Sequence, residues 1–190
     1  MPTALGQEFE RAVIHEAGHA VAKIRCGGEV ATIGVSRDGH GITSGPDTPT
    51  WLESLENGYE GEAVKRLFRS DWEPLTRIVC ILAGSIAEDI TFQDHDPEAC
   101  TNDECEAMCR ATDLANGDEQ EAKVLVAWLR LRTRRFLSDT TTWNCVTLLA
   151  EEIRLAAAPG DAQLHGANLR AIVTNIRQRI FYAPEGGAGG

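Results

Sequence analysis

His15 and His19 stand four residues apart in the run His15-Glu16-Ala17-Gly18-His19, with a carboxylate directly after the first imidazole. Residues at i and i+4 share one face of an α-helix, so both rings can bind one divalent ion while Glu16 reaches a water beside it. Metal-assisted hydrolysis needs those three groups, with zinc the expected ion. The competing reading is a surface helix bearing two unligated histidines, and the flanking sequence and a further ligand must decide between them.

The flanking sequence encodes the helix. From Gln7 to Cys26 there is no proline, and Phe9, Val13, Ala17, Ala20 and Ile24 recur at the three-and-four spacing of a buried stripe. Gly27 and Gly28 supply the stop, because glycine accepts the left-handed conformation just past a helix end. Gly18 lowers helix propensity, a cost expected where another element passes too close for a side chain.

A hydrolytic zinc site takes three protein ligands and leaves a fourth position for water. No third histidine follows at the extended H-x-x-G-x-x-H spacing, so a carboxylate from later in the chain is expected. Asp103 is one candidate, at an expected helix start where Asn102 or Asp103 itself can cap. Glu88 and Asp89 are its rivals.

The bulk properties fit one globular domain. The 190 residues, 43% of them apolar, can bury a sizeable core, expected over 1–182 with a helical C-terminal part from about 118. A net charge of -11 argues against nucleic acid or anionic membrane as the main partner. No apolar run approaches the roughly 18 residues of a membrane span, and the N-terminus has no signal-peptide core. The chain therefore reads as soluble and cytoplasmic, with its cysteines reduced. Cys105 and Cys109 are also at i, i+4 beside Cys100, but their spacing matches no common structural zinc pattern.

Along the chain, two short strands are expected within 29–45 about the turn Arg37-Asp38-Gly39, then a loop at 46–61 and a short helix at 62–70. A longer helix starts near Glu73 with Pro74 in its first turn, and another runs to Ala115, broken by Asn116-Gly117-Asp118. Helices from Glu119 to Leu137, Thr141 to Ala158 and Gly166 to Phe181 follow, and the tail 183–190 reads as disordered. Trp51, Trp72, Trp128 and Trp143 are expected in the core. His40 and His95 read as solvated loop residues, and Arg130, Arg132, Arg134 and Arg135 as a solvated helix face that could meet an acidic partner. An exposed edge of the strand at 30–36 or 40–44, with Ile42 and Thr43 facing the substrate, suits an extended peptide.

Three segments in order give the chain a resemblance to a known family. HEAGHA at 15–20, GSIAED at 84–89 and NDECEA at 102–107 resemble the HEAGH, G-x-x-A-E-E and N-D-x-x-x-A motifs of the FtsH family of zinc metalloproteases, in their C-terminal peptidase domain. GHGITSGP at 39–46 and LHGANLRAIV at 164–173 are softer matches, so the resemblance spans about residues 9–175. It implies a fold that is mainly α with a small β-sheet, a zincin-like metallopeptidase domain on the HExxH helix plus a C-terminal helical bundle. Carried across by position, His15 and His19 are zinc ligands, Glu16 the general base, Asp103 the third ligand and Glu88 an acidic residue orienting a histidine.

The departures from the family are specific. No G-x-x-x-x-G-K-[ST] phosphate loop and no membrane segment is present, Ala83 and Ser85 stand where glycine and arginine are usual, and Asp89 replaces glutamate. The expected function is therefore a free-standing zinc endopeptidase acting on peptides or unfolded proteins, with any ATPase supplied in trans. The alternatives are a non-catalytic zinc-binding scaffold or regulator working with a partner ATPase, and a metal hydrolase acting on another amide. Without the motor ring, the resemblance carries no oligomeric state.

Overall fold

The computed structural model describes residues 4–45, 72–93, 101–157 and 160–182. Six helices and one small sheet make up these residues: α1 (Ala4–Arg25), β1 (Thr32–Val35), β2 (Gly41–Ser44), α2 (Trp72–Phe92), α3 (Thr101–Leu114), α4 (Glu119–Leu137), α5 (Thr140–Ala156), β3 (Ala162–His165) and α6 (Gly166–Tyr182). The expected loop at 46–61 and helix at 62–70, and with them Trp51, His95, Cys100 and the tail, lie outside the described residues.

α1 is the axis of the molecule. Its apolar stripe is the one the sequence spells, with Val13, Ala17, Ala20 and Ile24 fully buried. Gly27, at φ 84°, ends it: the Gly27 N–H donates to the Ile24 carbonyl and the Gly28 N–H to the Lys23 carbonyl, the paired bonds of a glycine-terminated helix. α2 crosses α1 and buries Ile78, Leu82, Ala83, Ile86 and Ala87 against it. The two backbones meet at Gly18, where a Cβ would stand 2.7 Å from the Ala83 carbonyl oxygen and the Ala87 Cβ, which accounts for the glycine between His15 and His19.

The C-terminal helices share this core. α4 packs on α2, and α5 and α6 pack on α1, so that one cluster of buried side chains runs from Ala12 to Ile176. Asp118 caps α4 by accepting from the Gln120 and Glu121 amides, and Asp139 caps α5 through the Thr142 amide. The expected solvated arginine face is instead partly a tie between helices: Arg130 pairs with Asp89 at 3.3 Å and with Glu104, and Arg134 approaches Asp89 at 3.7 Å. Asp89 is thereby turned to α4 and away from the histidines.

The sheet is antiparallel throughout, in the order β2-β1-β3. β1 and β2 form the expected hairpin, with Val35 opposite Gly41 and Thr32 opposite Ser44. β3 pairs on the far side of β1, with Ile33 opposite Leu164, and was not expected: four residues are too short for alternation to stand out. The strand at 30–36 is consequently central, hydrogen-bonded on both sides, and offers no edge to a peptide. β2 keeps an edge that no described strand covers. Trp128, expected in the core, is 52% exposed. Among the described residues, no helix is long and apolar enough to cross a membrane.

Candidate metal centre

α1 brings His15 and His19 to one face, with their Nε2 atoms 2.8 Å apart. Asp103 reaches the same point from α3, placing Oδ2 3.0 Å from the His15 Nε2 and 3.1 Å from the His19 Nε2. α3 begins at Thr101, so Asp103 lies inside the first turn and is not its cap as the sequence suggested. There a carboxylate is favoured by the helix dipole and held on a short, stiff side chain.

The far nitrogens of the two rings fix what the near ones offer. His19 Nδ1 lies 2.7 Å from the Cys80 carbonyl oxygen, which can only accept, so Nδ1 carries the hydrogen. His15 Nδ1 lies 2.6 Å from Glu88 Oε1 and donates in the same way, while Arg11 donates to the other Glu88 oxygen at 3.3 Å. In the neutral rings both Nε2 atoms then present lone pairs, and so does Asp103 Oδ2, which is buried with no hydrogen bond of good geometry. Three acceptors converging this closely repel one another unless a cation lies among them.

The set suits zinc. Two imidazoles and one carboxylate are the ligand types of a hydrolytic zinc site, and bonds of about 2.0–2.1 Å put tetrahedral ligands about 3.3 Å apart, a few tenths of an ångström beyond the spacing here. A small outward shift of the side chains would make room for such an ion. Among the described residues, the ligand atoms of His15, Glu16 and His19 also lie within 4.8 Å of one another. Glu88 stands behind His15, orienting its ring.

Without metal, a proton is the cation. Burial works against a charged His15, but the Asp103 carboxylate close to its Nε2 and the hydrogen bond to Glu88, helped by the charge of Glu16, win and raise it from 6.5 to about 10. Burial likewise opposes ionised Asp103, and the two histidines outweigh it, holding its carboxyl far below the usual range. A raised histidine stabilises the fold fully below its unfolded value of 6.5 and loses that contribution as pH rises through about 10. A depressed aspartate contributes above its unfolded 3.8 and fails only in stronger acid. The metal-free pair is thus most stabilising between these unfolded values.

A metal ion must displace that proton. At pH 7, binding should release about one proton per ion, and affinity should rise about tenfold per pH unit until His15 titrates. Calorimetry in buffers of different ionisation enthalpy reads the proton directly. Release of none would mean that His15 is already neutral.

The floor of the site is backbone. A Cβ at Gly84 of α2 would stand 2.6 Å from both Nε2 atoms, so any side chain here would crowd the two nitrogens. Gly84→Ala should fold and lose metal binding; normal metal content in that variant would place the ion elsewhere. Gly84, the Cys80 carbonyl and Arg11 were not singled out from the sequence. A carbonyl is common to every residue type, so Cys80 left no signal to find.

Glu16 is 4% exposed, and its Oε2 is buried without a partner. Strand β2 packs over it, since a Cβ at Gly41 would collide with the Glu16 carboxylate. Thr43 donates its hydroxyl to the Glu16 carbonyl at 3.3 Å, and Lys23 Nζ donates to the Gly45 carbonyl at 2.6 Å. Thr43 therefore anchors the strand to α1, while Ile42 is 61% exposed. Both residues line a cleft of about 710 Å³ that also holds His15, Glu16, His19 and Asp103. His40, at the rim of the cleft, has an exposed side chain. Among the described cysteines no disulfide forms, and Cys105 and Cys109 are exposed on α3. No protein-family model matches this chain, and neither does any curated protein.

Proposed function

We propose that this chain is a zinc-dependent endopeptidase, a zincin-like domain of the FtsH peptidase type, that hydrolyses peptide bonds of unfolded proteins or peptides. One observation supports this above the others: three acceptor atoms converge beside a buried carboxylate oxygen that has no partner. A buried, unpaired carboxylate oxygen is costly, and a site that only stores metal has no use for it.

When bound, a zinc ion lowers the pKa of its water towards about 7 and polarises the carbonyl under attack. Glu16 accepts the proton from the attacking water and returns it to the departing amine, so it ends the cycle as it began. Glu88 and the Cys80 carbonyl hold the rings in the tautomer that leaves Nε2 free. The edge of β2 that no described strand covers accepts a peptide as an added strand, with Ile42 against a substrate side chain.

Casein, already unfolded, needs no motor and is the appropriate substrate. The expected result is casein cleavage that a chelator abolishes and added zinc restores. Zinc binding without cleavage of any amide would instead favour the scaffold reading. Cleavage of small amides with casein untouched would favour a hydrolase of another class.

A further inference from the structure

The molecule has a second cavity, of about 760 Å³, where the end of α1 and the start of α2 meet α4 and α6. Its walls are largely apolar, built from Ile24, Leu75, Val79, Leu129 and Phe136. Trp128 and Phe181, each about half exposed at 52% and 50%, extend that apolar surface. The size falls in the range of about 300–1,000 Å³ that takes a small organic ligand.

The charge around this cavity is opposite to that of the chain. In a protein of net charge -11, the described residues of the lining include Arg25, Arg132 and Arg177 and no aspartate or glutamate. Among the described residues, neither Arg25 nor Arg132 has an ion-pair partner, in contrast to Arg130 and Arg134 on the next faces of α4. Arg177 uses one N–H on the Gly28 carbonyl at 3.0 Å, and its remaining donors are uncommitted by that bond. Arg132 also lies over the Trp128 ring, 5.7 Å from its centre, which keeps the guanidinium beside the apolar wall.

A polar atom in the same wall lacks a partner. Thr91, Thr112, Thr147 and Thr174 each return their hydroxyl to the carbonyl four residues back, as helical threonines do. Thr133, next to Arg132 and fully buried, has no hydrogen bond at Oγ1. An apolar cavity edged by guanidiniums and holding a spare hydroxyl is complementary to a molecule with an apolar body and an anionic end.

We infer that this cavity binds a small apolar carboxylate of the fatty-acid class, its tail against Leu75, Val79, Leu129 and Phe136 and its head at Arg25 and Arg132. The site is separate in chemistry from the metal centre and does not depend on the peptidase reading. The two cavities adjoin, however, because Cys26 and Thr76 line both.

The test is titration of dodecanoate, below its micelle concentration, into the purified chain by calorimetry, with dodecanol and dodecyltrimethylammonium as probes of the same tail. The expected result is one saturable site for dodecanoate, at least tenfold weaker binding of both other probes, and at least a tenfold loss in the Arg25→Gln/Arg132→Gln double variant. Both arginines are exposed, so the variant should fold, which its thermal transition checks. Thr133→Val, close in shape, should weaken dodecanoate while leaving the fold intact. No binding up to millimolar dodecanoate, equal binding of the cationic probe, or wild-type affinity in the double variant would each overturn the assignment. Loss of dodecanoate binding with chelator present would place the carboxylate on the metal centre, and self-association that dodecanoate disperses would make the occupant a second copy of the chain; either result overturns it too.

Discussion

Replacing Glu16 with glutamine is expected to leave zinc content near the wild-type level and to lower casein cleavage by about a hundred- to ten-thousand-fold, the usual worth of a positioned general base. The substitution keeps the shape that β2 packs against, so the Gly41 contact survives. It removes the carboxylate's charge and with it the ability to take a proton at the buried oxygen. Metal analysis and cleavage must be measured on the same preparation. Unchanged cleavage in a zinc-loaded Glu16→Gln variant would take the proton-transfer role away from this residue.

Asp103→Asn and Glu88→Gln should separate a ligand from a residue that orients one. Glu88 touches His15 from behind, at Nδ1, and losing its charge should weaken zinc by about 10–100-fold, the range for a partner that only aims a ligating ring. Asp103 faces both Nε2 atoms, so its amide variant removes the negative charge that lies closest to both of them. A larger loss of zinc than in Glu88→Gln is expected. Competition with a chromogenic chelator gives both affinities, and the reverse order would exchange the two roles. Glu88→Gln also disturbs its contact with Arg11, so thermal stability should be recorded beside affinity.

How far the sequence could be read depended on the range of the interactions involved. The helix bearing His15 and His19, its apolar stripe and its glycine stop are local properties, and the structure has them where the spacing puts them. The hairpin about Arg37-Asp38-Gly39 and the break at Asn116-Gly117 follow from turn chemistry, with Gly39, Asn116 and Gly117 all at positive φ. The approach of Asp103 to the histidines is a long-range contact. Its place at an expected helix start put it forward with Glu88 and Asp89 as rivals; the motif order of the resembling family favoured it further.

What the sequence missed is tertiary in origin. β3 is four residues long and exists because β1 has a free side to pair with. Arg130 looked like part of a solvated face because its partners, Asp89 and Glu104, come from two other helices. Trp128 carries an aromatic ring to the surface, against the average tendency of its type, beside the arginine-edged cavity. Gly84 stood in the sequence only as the first residue of GSIAED, because its closeness to both rings depends on how α2 packs against α1.

X-ray absorption at the zinc edge on the purified, zinc-loaded chain tests the central claim most directly. One ion per chain with two imidazole nitrogens, oxygen for the remaining ligands and no sulfur is the expected spectrum, and Asp103→Asn should change or abolish it. A chain that takes up no zinc, or zinc with cysteine sulfur in its shell, would contradict a centre made by His15, His19 and Asp103.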